Sequence, residues 1–407
     1  MRLNKVINDP IYEFIPIPDE IILSLIDHEY FQRLTRIKQL GFSYLVFPGA
    51  HHTRFAHSLG AMYLMQRALN QLNDQGVYID DKTYLSSLIA ILMHDIGHGP
   101  FSHTLEALLA DNITHEFITD FAMKKLEKSY GEPMTIARQI FNNSYSVKFY
   151  HQLVSSQLDM DRLDYLTRDS FYTGVSEGII NTQRIIYMLT LTANGDLGIL
   201  AKGIYSIEKF IIARKIMYWQ VYFHKTTMAA DEMLYQVIKR AKYLTQNGTK
   251  VSATEPLEYF LKYHNKEFTE DDLDVFMQMD DYDVMTALKI WSNHDDNILR
   301  LLSRKLLNRN LFRCIIQNND PLNDEKRINE LKQKILNKYK IDKNDLHYLI
   351  SIKSIENQAY TPHRDQINLV YNNGEVKDIS MASDQLHMEL LPNDTMKYFL
   401  FYPKEIE

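Results

Sequence analysis

A mainly α fold, with a helical core carrying one small β-hairpin and a smaller α+β domain towards the C-terminus, follows from three features of the chain. Apolar residues recur at helical spacing through most of residues 1–245. Within LTLTANGDLGIL, alternating residues flank Asn194-Gly195, the favoured two-residue hairpin turn. Beyond Pro256 the pattern changes, and the runs LFRCII, YLISIKSI, INLVY and MKYFLFY read as strands among a few helices.

Taken in order, Ile22, Leu25, Ile26, Leu34 and Ile37 predict one amphipathic helix from Ile21 to Leu40, stopped by Gly41. Further helices are expected over His57–Leu72, Lys82–Met93, Ser102–Leu109 and His115–Lys128. After the hairpin a single long helix is expected from Ser206 to about Arg240. The polar segment TQNGTKVSATEP, Thr245 to Pro256, is where a domain boundary is expected. It divides the chain into a core of residues 1–245 and a C-terminal α+β domain of residues 246–407.

Composition narrows the chemistry. With 45% apolar and 24% charged residues in 407, the chain is of the globular class rather than the disordered one. No apolar run reaches membrane-spanning length, so no membrane partner is expected. The opening MRLNKVINDPIYEF has no apolar core of the signal-peptide kind, and the expected compartment is the cytoplasm. The single cysteine, Cys314, excludes an intrachain disulfide and any cysteine-based zinc site, so a metal would need His, Asp or Glu. A net charge of -7 gives no global field for nucleic acid; a polyanionic substrate would need locally focused Arg and Lys.

Three segments concentrate the titratable groups: HHTRFAHSLG (His51 to Gly60), LMHDIGHGPFSH (Leu92 to His103) and QLDMDRLDYLTRD (Gln157 to Asp169). His57, His94, Asp95 and Asp161 offer two imidazoles and two carboxylates, a set suited to Mg, Mn, Fe or Zn with positions left for water and a substrate oxygen. Asp161, Tyr165, Arg168 and Asp169 fall at i, i+4, i+7 and i+8, so one helical face would carry a metal ligand and substrate contacts together. Gly97, Gly99 and Pro100 break the apolar helix that delivers His94, and the glycines are expected to let backbone approach phosphate. The plainer alternatives are that His51 and His52 are polar loop residues and that the acidic run from Asp159 to Asp169 is a solvated face paired by Arg162 and Arg168.

The ordered occurrence of VINDPIYEFI, FQRLTRIKQLGFSYLVFPGAHHTRFAHSLG, HDIGHGPFSHTLE, THE and DYLTRDSFYTGV resembles the HD-domain phosphohydrolases, and within them the deoxynucleoside triphosphate triphosphohydrolases. The resemblance runs from about Val6 to about Lys225 and implies an HD-domain helical core. It implies a divalent metal held by His57, His94, Asp95 and Asp161, the set that chemistry also selects. It further implies that Gln39 and Asp169 hold the sugar 3'-hydroxyl, with Leu40 beside Gln39 crowding the 2' position. Arg54, Arg162 and Tyr165 match phosphate-contacting positions, Arg214 and Tyr222 continue the substrate pocket, and His98, His103, Glu106 and His115 match the catalytic cluster. Among these, His103 with Glu106 at i+3 best suits the proton donor to the leaving 5'-oxygen, with His115 next and His98 orienting water or phosphate.

The implied activity is hydrolysis of a dNTP, dGTP among the candidates, to deoxynucleoside and triphosphate. Arg162 stands where some relatives have lysine, which keeps the charge for phosphate as a planar fork, and Tyr218 stands where some have histidine, which leaves base preference open. Val6, Asn8 and Asp27 match a region that binds an activating nucleotide in some relatives, while Thr35 replaces an arginine of that region. The resemblance also implies a homo-oligomer, a dimer or tetramer. Two other readings stay open: an HD phosphohydrolase acting on a different nucleotide phosphoester, and a nucleotide-sensing or nucleic-acid-binding protein in which the HD site is structural.

Overall fold

The computed structural model describes residues 5–101, 113–264, 267–356, 366–383 and 396–406. The expected helix Ser102–Leu109, and with it His103 and Glu106, lies outside the described residues. A hairpin of β1 (Val6–Asp9) and β2 (Glu13–Pro16) precedes two short helices, α1 (Glu20–Asp27) and α2 (Glu29–Gln32). The single helix expected from Ile21 to Leu40 is therefore broken. His28 leaves helical geometry (φ -67°, ψ 138°), and its ring Nδ1 accepts from the Tyr30 N–H at 3.2 Å, so a side-chain cap interrupts the apolar period. A 3₁₀ turn over Arg33–Arg36 follows.

The helical core is built from α3 (Arg54–Asp74), α4 (Asp81–Met93), α5 (His115–Tyr130), α6 (Glu132–Phe141), α7 (Lys148–Val154), α8 (Met160–Thr173) and α9 (Thr182–Tyr187). At its centre lies α4, where every residue from Leu88 to Met93 is fully buried. A helix apolar on all sides needs neighbours on all sides, and α3, α6 and α7 supply them. Because α4 is fixed so firmly, the residues at its C-terminal end are placed with little freedom.

The hairpin at Asn194-Gly195 forms, from β3 (Leu189–Leu191) and β4 (Leu197–Leu200), but its turn is longer than the two residues expected, since the Thr192 N–H donates to Asp196 O and Gly195 alone of the turn sits at positive φ, +80°. It is not a two-stranded unit, however. β7 (Asn368–Val370) pairs parallel to β4, and β8 (Val376–Asp378) pairs with β7, giving a sheet of order β3-β4-β7-β8. Gly198 permits this approach, since a Cβ there would lie 2.9 Å from Val370 Cγ2.

The long helix expected from Ser206 to Arg240 is also divided. α10 (Ile204–Met217) passes into a π-helical turn, Tyr218–Tyr222, and α11 (Lys225–Gln246) restarts on the side-chain cap of His224. The wider turn re-aims the tyrosines, a common use of π geometry at sites. Helices α12 (Glu255–Lys262), α13 (Glu270–Phe276), α14 (Asp281–Trp291) and α15 (Asn297–Leu307) come next. They lead to β5 (Phe312–Gln317), α16 (Glu325–Tyr339), β6 (Ser351–Ile355) and β9 (Lys397–Pro403), with the antiparallel sheet order β5-β9-β6. The fold is thus mainly α with an α+β C-terminal region. Among the described residues no helix is long and apolar enough to cross a membrane.

Candidate metal and substrate site

The site is built where α3, the end of α4 and the start of α8 meet. The side chain of Thr53 caps α3, whose first turns carry Arg54 and His57, and Asp159 caps α8 ahead of Asp161. Helices α3 and α8 come unusually close at Gly60, where a Cβ would lie 2.0 Å from Asp164 Oδ1. That residue, the last of the RFAHSLG motif, is required for helix packing.

His57, His94 and Asp161 converge, each offering a ligand atom within 4.8 Å of the others. His57 Nε2 lies 3.0 Å from Asp161 Oδ1, and His94 Nε2 lies 3.5 Å from the same oxygen. Both rings are oriented from behind. His57 Nδ1 bonds Asp164 Oδ2 at 2.8 Å, and His94 Nδ1 donates to Ile91 O at 2.6 Å. Both Nε2 atoms are buried with no hydrogen-bond partner of suitable geometry. Two buried imidazole lone pairs aimed at one carboxylate, with each opposite ring nitrogen engaged, is the donor set that a divalent ion takes. The residues fit such a metal.

Burial lowers the His57 pKa, but the closely placed Asp161 carboxylate and the hydrogen-bonded Asp164 outweigh it and raise the pKa to about 10. Burial pushes Asp161 up, yet the close approach of His57 and His94 holds it far below the usual carboxylate range. A cation placed among these groups would take over the charge balance that a proton otherwise supplies.

Asp95 stands beside the trio. Its Oδ1 is 3.3 Å from His94 Nε2 and 3.3 Å from His98 Nε2, while its Oδ2 is 3.8 Å from His57 Nε2 and accepts from Arg54. Arg54, expected to contact phosphate, is thus bonded to an expected metal ligand. His98 stacks on His115 with ring centres 3.9 Å apart, so two of the four expected catalytic residues lie together behind Asp95. His115 opens α5, and its Nε2 lies 3.2 Å from Glu116 Oε1.

Of the other expected contacts, Arg162, Tyr165 and Asp169 lie on α8. Arg162 donates through Nε to Ser156 O at 2.6 Å and to Asp159 at 3.1 Å. Burial raises the Asp159 pKa to about 6 despite the lowering influence of Arg162. The Tyr165 ring meets His57 and Tyr222 edge to face, with centres at 6.4 and 6.2 Å. Asp169, only 1% exposed, accepts from the Tyr222 hydroxyl at 2.8 Å and bonds His52 Nε2 at 2.7 Å. Arg214 donates to Gln157 Oε1 at 2.9 Å and lies over the Tyr218 ring. Gln39, whose N–H donates to His52 O at 3.0 Å, keeps a buried Oε1 without a partner. Leu40 is half-buried against the core at the start of the next 3₁₀ turn.

Several sequence expectations change here. The acidic run of α8 is not a solvated face, since Asp159, Asp164 and Asp169 are all buried. Arg168 does not point with Asp161 and Asp169; fully buried, it bonds Asp164 and reaches Asp9 at 2.8 Å. His52 lies in a loop but is no solvated residue: it is 5% exposed, stacks on Tyr172 at 4.5 Å and links Gln39 to Asp169. Gly97 serves helix approach, because a Cβ there would lie 2.2 Å from His115 O, and Gly99 faces Phe276. Asp164 went unnoticed in the sequence, although its position three residues after Asp161 places it near the ligand on α8.

Residues 54–169 match the HD domain family and residues 180–258 match the HD associated region. The chain is 32% identical to the uncharacterized protein YwfO of Bacillus subtilis, over 99% of this chain and 93% of that protein. It is 27% identical to the deoxynucleoside triphosphate triphosphohydrolase SAMHD1 of Bos taurus, over 76% of this chain and 58% of that protein. The crystal structure of a phosphohydrolase from Bacteroides thetaiotaomicron superposes with a TM-score of 0.93 at 46% identity, covering 98% of this chain and 99% of that chain.

Proposed function

The chain belongs to the HD-domain phosphohydrolase family, and from this premise we propose that it hydrolyses deoxynucleoside triphosphates, dGTP among them, to deoxynucleoside and inorganic triphosphate. The observation that carries the reading is the layout of α8. Asp161 faces two bare imidazole nitrogens at its start, and Asp169 lies buried between Tyr222 and His52 eight residues further on. Eight residues of helix span about 12 Å, so one element presents both a phosphate-side and a sugar-side group. The triphosphohydrolase named among the relatives supports the same substrate class.

His57, His94, Asp161 and the adjacent Asp95 would hold a divalent ion, Mg, Mn, Fe or Zn, which when bound supplies Lewis acidity to a phosphate oxygen and to water. In the proposed reaction water adds to the α-phosphorus, the bond from phosphorus to the 5'-oxygen breaks, and that oxygen takes up a proton. Arg54 and the Arg162 guanidinium furnish fixed positive charge for the triphosphate, with Tyr165 alongside. Asp169 and Gln39 accept and orient the 3'-hydroxyl, and the unpartnered Gln39 Oε1 suits that role. The stacked His98 and His115, with His103 and Glu106 from the family motif, are proposed to move protons between water, phosphate and the leaving oxygen. Arg214 and Tyr222 bound the sugar and base side.

We further propose a homo-oligomeric state, with Tyr205 66% and Ile212 42% exposed on α10, and an activating nucleotide near Val6, Asn8 and Asp27. The direct test of the site is His94→Ala. It should lose bound metal by elemental analysis and hydrolysis of dGTP together, and full activity without metal would overturn the assignment.

A further inference from the structure

A buried knot of hydrogen bonds joins three segments distant in sequence. Arg33, with no exposure, donates Nε to Met279 O at 2.8 Å, Nη1 to Ile96 O at 3.2 Å and Nη2 to His98 O at 2.5 Å. Its guanidinium also lies over the Phe276 ring at 5.2 Å. Asp281, 1% exposed, returns the connection: its Oδ2 accepts from the Lys38 N–H and its Oδ1 from the Phe101 N–H, both at 3.0 Å.

Asp281 is the first residue of α14, where an acid commonly serves its own helix. That duty is already filled, because Asp280 and Asp283 form a complete capping box. The Asp281 carboxylate is free to turn away from α14 and engage two other backbones. Each of those backbones leads to the site. Lys38 immediately precedes Gln39, whose own N–H is held by His52. Phe101 follows the loop that bears His94, Asp95 and His98, and it stands at φ +49°, a left-handed geometry that a bulky residue keeps only when its surroundings impose it. Stacking on Phe42 at 4.4 Å and the Asp281 bond supply that constraint.

Resting on the function proposed above, we infer that Asp281, assisted by Arg33, is a positioning residue that keeps the Gln39 segment and the His98–Phe101 loop in register. Residues 279–281 lie beyond both matched family regions, which end at residue 258. The part of the chain after residue 258 therefore completes the active-site framework. Each acts through backbone groups beside or within the site: Asp281 through Lys38, next to Gln39, and through Phe101, and Arg33 through Ile96 and His98.

The test compares Asp281→Asn with wild type. The amide keeps the side chain's shape but sets an NH₂ against one of the two backbone N–H donors. The kcat for dGTP should fall about 10–100-fold, as a displacement of about 1 Å allows, while KM stays within about threefold and metal per chain is unchanged. Preference for dGTP over GTP should fall with it, a readout that loss of stability alone would not move. Hydrogen exchange should quicken together in residues 36–41 and 96–101. Asp281→Glu, which keeps the carboxylate, should recover part of kcat and of the protection, and it serves as the working variant if the asparagine form does not fold. Arg33→Lys should likewise exceed Arg33→Met. Unchanged exchange in either segment, or wild-type kcat and selectivity in Asp281→Asn, would overturn the inference. If wild type releases no triphosphate the functional reading fails, and the exchange data still decide this one.

Discussion

His57 Nδ1 lies 2.8 Å from Asp164 Oδ2, and the Arg168 guanidinium grips that same carboxylate at 2.9 and 3.0 Å. The pair fixes which His57 nitrogen faces the metal-binding position. Asp164 donating its charge to the far side of the ring raises the basicity of the ligand nitrogen. We expect Asp164→Asn to fold and to bind Mn²⁺ about 10–100-fold more weakly, as measured by calorimetric titration. Affinity equal to wild type would show that Asp164 does not orient the ligand.

Gly60 makes that arrangement possible. A methyl group there would lie 2.0 Å from Asp164 Oδ1 and 2.3 Å from Arg168 Nη2, within a buried ion pair. Gly60→Ala should cost about 1–3 kcal/mol through overpacking, with more lost if the ion pair opens. Urea unfolding measures it. An unchanged midpoint would mean that α3 and α8 separate freely, contrary to the packing described.

Away from the site, Asp231 on α11 is pushed up to about 7 by burial, with Glu232 adding to the rise and Lys353 opposing it. Glu232 itself is held by Ser351 at 2.6 Å and by Lys353 at 2.7 Å. The unfolded chain would titrate Asp231 near about 3.9. The folded state thus binds this proton more tightly. The stability it contributes is complete below the unfolded value and is lost as pH rises through about 7. Asp231→Asn should therefore gain on the order of a few kcal/mol over wild type at pH 8 and little at pH 4. Chemical denaturation at the two pH values checks this, and a gain equal at both would contradict it.

Much of this could be read from the sequence because the signals were local. SLIAILM marks a buried helix that ends at His94, and the structure buries Leu88 to Met93 completely. Asn194-Gly195 fixed the hairpin, but no local pattern could reveal that β7, some 170 residues later, would extend it. The helix breaks at His28 and Tyr218–Tyr222 escaped notice for the opposite reason: apolar periodicity continues through both, and a histidine cap and a π turn leave the pattern almost intact. His52, Asp164, Arg33 and Asp281 were missed because each gains its role from a long-range partner.

Sugar discrimination should reside in the Gln39, Leu40 and Asp169 group. Ribonucleotides should be poor substrates, because a 2'-hydroxyl near Leu40 would be buried without a partner, a loss of about 1–3 kcal/mol. Leu40→Gly should raise kcat/KM for GTP relative to dGTP, while Asp169→Asn should depress both, since Asp169 also anchors Tyr222 and His52. Equal kcat/KM for GTP and dGTP in the wild-type protein would remove the deoxynucleotide assignment.

The most direct measurement of the central claim is the identity of the products. The 47.9 kDa protein is incubated with dGTP and Mn²⁺ or Mg²⁺, and the mixture is separated by anion-exchange chromatography. The account predicts deoxyguanosine and intact inorganic triphosphate in equal amounts, with neither formed by His94→Ala. Release of inorganic phosphate or pyrophosphate without triphosphate would contradict it, and would place the reaction at a phosphoanhydride bond of the triphosphate instead of the 5'-oxygen ester bond.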